Sequence, residues 1–140
     1  MIITLIKEVT TDEYDEMMKK KYGSMEKLEK QLEKTPKNIL YFDLENWKML
    51  LKNPDEKIKF EEVIMSDTLN ISSKEVELLN IIKNDKPKSV REIALKLEKD
   101  PANTTNKINQ LANEGLISFK KGLKNSKVPY LNYDKIEIAI

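Results

Sequence analysis

The stretch that most restricts this chain is residues 89–117, SVREIALKLEKDPANTTNKINQLANEGLI. Ser89 followed by Glu92 has the spacing of a capping box, and Val90, Ile93, Ala94 and Leu97 then recur at helical steps. Asp100 suits an N-cap and Pro101 the first position of a further helix, while Gly115 suits its C-terminal stop. At about 100° per residue, Ile108 and Leu111 fall within about 40° of Thr104. Ala102, Asn106, Asn109 and Asn113 point the opposite way, with Asn103 and Gln110 on one flank. The pattern predicts two short helices joined by a tight turn, the second apolar on one face and rich in amides on the other.

The flanking segments extend this reading. LISFKK, GLKNSK and VPYLNY predict two strands around a basic tip. IEIAI alternates with period two and predicts a further strand, pairing with the N-terminal half or with a partner subunit. Upstream, Ser72 and Glu75 form a capping box opening a helix through Val76, Leu79 and Ile82, stopped near Asn84-Asp85 by Pro87. Lys86–Ser89 is expected as a short strand. In the first half, residues 2–9 predict a short strand. Residues 11–34 predict helix, with Tyr14, Met17, Met18, Tyr22, Met25, Leu28 and Leu32 as an amphipathic stripe. Gly23-Ser24 is placed to split it, with Ser24 capping the second piece. Residues 39–53 open strand-like and pass into helix around Glu45–Leu51, and 57–65 fit a strand or a short helix. The expected fold class is α+β: a helical or mixed N-terminal region, 1–57, and a second domain, 58–140.

Composition narrows the chemistry. The chain has no cysteine and no histidine, which removes disulfides, thiol chemistry, the usual zinc ligands and the Ser-His nucleophile systems. Asp12, Glu13, Asp15, Glu16, Asp43 and Glu45 could in principle hold a divalent cation, but nothing pairs them with a nucleophile or phosphate loop. The expectation is a non-enzyme without cofactor or metal. No run approaches ~18 apolar residues, and MIITLIKEV lacks a basic n-region and cleavage site, so a cytoplasmic protein is expected. The net charge of +1 conceals an asymmetry, because residues 1–70 carry net −3 and residues 71–140 net +4. Between Asp100 and Leu131, five lysines stand against Asp100 and Glu114. Locally basic surfaces of this kind suit nucleic acid.

Solvated helix faces favour Lys, Glu, Arg and Gln, yet residues 103–113 hold four asparagines and two threonines, all weaker helix formers. That choice costs helix stability and is explained if the amides contact something. The arrangement has the form of a helix-turn-helix, whose second helix enters the DNA major groove. Asn103, Asn106, Asn109 and Gln110 are the candidates for base edges, with Thr105 a weaker one on the flank. Lys107, Lys120, Lys121, Lys124 and Lys127 are the candidates for phosphates. The Met/Tyr/Leu stripe at 14–32 and Trp47 are read as packing or as a dimer or partner interface.

Three segments carry a resemblance: ELLNIIK, KPKSVREIALKL and KDPANTTNKINQLANEGLI, with VPYLNYDKIEI closing the pattern. Residues 71–140 resemble winged-helix transcriptional regulators of the MarR and ArsR type, most closely an archaeal group of predicted DNA-binding regulators. Residues 58–70 fit the same pattern, and residues 1–57 match no family. The resemblance implies a winged helix, sequence-specific binding to double-stranded DNA as a homodimer, and transcription control, with repression favoured over activation. Such regulators often carry an arginine on the third helix. Here asparagine and glutamine stand instead, which implies adenine contacts over guanine. The competing expectation is a protein-interaction module, antitoxin-like or within transcription machinery, that binds a partner through residues 1–57.

Overall fold

Thr10 and Glu13 cap each other reciprocally and start helix α1 (Thr11–Tyr22) in the computed structural model, which describes all 140 residues. Gly23, at φ 91°, ends it in a conformation that side chains disfavour. Ser24 accepts from the Lys27 amide and opens α2 (Met25–Lys34), as the Gly23-Ser24 split predicts. Helix α3 (Asn38–Lys52) follows. Together these form one of two units, residues 7–60. Its core is Val9, Tyr14, Met18, Leu28, Leu40, Leu44, Trp47 and Leu50. The strand-like opening expected at 39–53 is helix throughout. Leu40, Leu44 and Trp47 bury one helical face, while Ile39, Tyr41 and Phe42 stay exposed, so apolar residues on both faces hide the helical period.

The other unit comprises residues 1–6 and 61–140. Strands β1 (Ile2–Val9) and β2 (Ile58–Met65) carry the chain between the units, and β5 (Lys135–Ala139) completes a sheet of order β2-β1-β5. β5 runs antiparallel to β1, with Ile2 opposite Ala139 and Ile6 opposite Lys135. The closing strand thus pairs with the opening residues of the chain, and residues 1–6 group with the C-terminal segment. The ambiguous 57–65 segment is a strand.

Three helices follow, α4 (Ser73–Asp85), α5 (Val90–Leu97) and α6 (Pro101–Asn113), then the antiparallel hairpin β3 (Ser118–Lys121) and β4 (Lys127–Tyr130). The molecule is therefore α+β, with six helices and antiparallel strand pairing. Ile3 and Leu5 from the sheet, Leu78, Leu79 and Ile82 from α4, Ile93 from α5, and Ile108 and Leu111 from α6 share one core. Residues 86–89 are not a strand. Lys86 closes α4 in the left-handed conformation and Pro87 is buried behind it, a turn that leaves no length for a ladder. Ser89 caps α5 as expected, but Glu92 accepts from the Lys88 amide rather than from Ser89, so only half of the expected box forms.

Candidate nucleic-acid interface

Helix α6 is fixed in rotation by several contacts. The Asp100 side chain accepts from the Asn103 amide at 3.1 Å, Pro101 occupies the first turn, and Thr104 donates to the Asp100 carbonyl at 2.9 Å. Thr104, Ile108 and Leu111 are buried, the face predicted from their spacing. Asn103, Thr105, Asn106, Asn109 and Gln110 are all exposed. Thr105 spends its hydroxyl proton on the Pro101 carbonyl at 2.9 Å, leaving oxygen lone pairs toward solvent.

Lys107 is not with these residues. Its ammonium lies 2.5 Å from the buried Glu75 carboxylate on α4, and only a third of its side chain is exposed. That inward pairing takes it out of the phosphate-contact set expected from sequence. Glu75 also accepts from the Ser72 hydroxyl and, at 2.9 Å, from the Ser72 amide. Lys107 foremost, then Ser72, hold its carboxyl well below the usual range, at about 2. A groove of about 490 Å³ opens beside this pair, lined in part by Leu78, Leu97 and Asn103.

The far end of α6 is anchored as well. Glu114 accepts from the Thr68 hydroxyl at 2.5 Å and the Ser66 hydroxyl at 2.7 Å, and these bonds lower its pKa. Gly115, at φ 89°, turns the chain where a Cβ would sit 3.1 Å from Ile64. Tyr133, pushed above the ordinary phenol range by burial, donates to the Leu116 carbonyl at 2.8 Å. Glu75, Glu114, Ser66, Thr68 and Tyr133 were not among the sequence candidates. Only Glu75 carried a signal, its capping-box spacing.

Lys120, Lys121, Lys124 and Lys127 are exposed on the hairpin. Lys121 and Lys127 are direct cross-strand partners, a like-charge pairing that destabilises an isolated hairpin. Lys120 lies over the Tyr130 ring and Lys127 over Phe119, each at 5.8 Å, so the aromatic faces steady two of the ammonium groups.

Of the carboxylates weighed as cation ligands, Asp15 and Asp43 are engaged otherwise. Asp15 accepts from the Trp47 indole at 3.0 Å and pairs with Lys19, and Asp43 accepts from the Tyr22 hydroxyl and Lys21. No group of three or more acidic, histidine or cysteine side chains is placed to hold a metal ion. No helix is long and apolar enough to cross a membrane. Residues 70–138, from two residues before the α4 cap into β5, match the family model described as HVO_A0114. No curated protein and no solved structure matches the chain.

Proposed function

We propose that residues 58–140 form a winged helix and that the protein is a sequence-specific, double-stranded DNA-binding transcriptional regulator. In this reading α4, α5 and α6 are the three helices and the β3–β4 hairpin is the wing. Helix α6 lies in the major groove, where Asn103, Asn106, Asn109 and Gln110 address base edges, asparagine and glutamine favouring adenine. Thr105 contributes from the flank. Lys120, Lys121, Lys124 and Lys127 bind phosphates.

The observation that carries the proposal is the facing pair Lys121 and Lys127 together with an exposed α6 face of weak helix formers. Both features cost the free protein stability, and a polyanion with hydrogen-bonding base edges relieves both. A homodimer on an inverted repeat is the arrangement that follows from two-fold operators.

The test is fluorescence anisotropy with a random-sequence duplex at two salt concentrations. About four phosphates per subunit in a dimer give a slope of log affinity on log salt near −7, a loss of roughly 10⁴ between 50 and 200 mM. Absence of duplex binding at 50 mM rejects the proposal. The second reading, a protein-contact module, is favoured by one observation: Ile39, Tyr41 and Phe42 expose an apolar patch on α3. A chain that ignores duplex but forms a complex through that patch would fit it.

A further inference from the structure

We infer that the open edge of strand β5 pairs with the same edge of a second copy of this chain, joining two three-stranded sheets into one of six strands. The inference rests on the homodimer of the reading above and names its surface, and it needs no contact with DNA.

The sheet order β2-β1-β5 gives β5 a neighbour on one side only. Four of its five residues are exposed, and Ile136 alone is partly covered. An edge in that state offers a row of backbone donors and acceptors to an extended segment. Natural edges are commonly blocked by proline or by charge turned toward the core. Residues 135–139 hold no proline, and their charges turn the other way. Ile136 and Ile138 line a cleft of about 300 Å³ against Val76 and Leu79 of α4, so Lys135 and Glu137 lie on the opposite face.

Self-pairing fixes the register. Two copies related by a two-fold axis through the sheet run antiparallel, and directly opposite residues share a face. An axis through Lys135 or Glu137 sets like charges against each other, which destabilises a strand pair. An axis through Ile136 sets Lys135 opposite Glu137 of the second copy and, by symmetry, Glu137 opposite its Lys135. The two Ile136 side chains then meet on the α4 side. In the same register Ile138 of the second copy stands opposite Asp134, which also lines the α4 cleft. Ile138 and Val76 are 46% and 45% exposed in the single chain, and this pairing brings apolar surface to the cleft they share. Opposite charges, apolar residues and edge backbone groups are thus matched by one self-complementary contact. A five-residue strand pairing is smaller than a standard interface of about 1,200–2,000 Å², so association is expected in the micromolar range.

Sedimentation velocity of the full chain without DNA, over a micromolar concentration series, is the experiment. Wild type should pass from monomer to dimer across the series. Glu137→Lys and Lys135→Glu should each weaken self-association about tenfold or more, with unchanged thermal unfolding because both side chains are exposed. Mixed in equal amounts, the two variants should regain a dimer, since two lysines on one edge then face two glutamates on the other. Val63→Lys on β2 and Phe42→Lys on α3 should leave the dimer intact. A wild type that stays monomeric overturns the inference, as does a dimer that survives both charge variants or a mixture that fails to recover. Loss of the dimer in Val63→Lys or Phe42→Lys alone would assign the contact to another surface and overturn it. Duplex binding is read separately by anisotropy. A chain that fails here yet binds duplex keeps the DNA reading, and a chain that dimerises through β5 yet ignores duplex loses that reading alone.

Discussion

Glu75→Gln removes the charge that Lys107 faces while keeping the shape of the side chain and much of its contact with Ser72. Glu75 is buried to 5% exposure, and its carboxyl is held at about 2 against an ordinary value of 4.5. Each unit of such a shift corresponds to about 1.4 kcal/mol, so the ionised form contributes at most roughly 3 kcal/mol. Part of the Lys107 side chain reaches solvent, which screens the pair and brings the expected loss nearer 2 kcal/mol. The direction with pH is fixed. Because the folded value is depressed, the contribution is complete above about 4.5 and fades as pH falls toward about 2. Thermal unfolding followed by circular dichroism at pH 7 should place Glu75→Gln roughly 10 °C below wild type. At pH 3 the two should converge to less than half that separation, because Gln already mimics the protonated acid. Lys107→Met should reproduce the loss at pH 7, since it leaves the same buried charge unpaired. Equal melting at pH 7, or a gap that does not narrow at pH 3, would refute the pairing as a source of stability.

Two further substitutions probe the interface. Asn106→Ala should weaken a selected cognate site by tenfold or more while leaving random duplex nearly unaffected, measured by anisotropy on both. Equal losses would remove Asn106 from the base-reading set. Gly122→Ala should destabilise the hairpin, because a Cβ there would stand 2.5 Å from Ser126 Oγ and 2.7 Å from Val128 Cγ2. Loss of amide protection confined to β3 and β4 in hydrogen exchange is the readout, and unchanged protection would count against the described turn.

Local signals in the sequence carried most of the helices. Ser24, Ser72 and Asp100 each lie at helix starts, Gly23 separates α1 from α2, and Gly115 takes the positive-φ turn its position called for. What failed was information that resides between elements. The β2 residues are nearly all exposed, so no alternation of burial could announce a strand, and neighbouring β1 supplies the pairing. Ile39, Tyr41 and Phe42 disguised α3 because an exposed apolar residue contributes the same letter as a buried one. Lys107 read as a free cation because Glu75 lies 32 positions earlier in the sequence, and only tertiary packing brings the two together. The amide face of α6 was legible from periodicity alone. Its anchoring by Glu114 to Ser66 and Thr68 was not.

The pairing of Ile2 with Ala139 has a consequence for biosynthesis. Strand β1 leaves the ribosome long before its neighbour β5 exists, whereas residues 7–60 draw their core from within a short span. The helical segment can mature during translation, and the sheet beside α4–α6 closes only once β5 has been made. A ribosome-stalled intermediate lacking residues 135–139 should therefore hold a settled first unit and an unfinished second one.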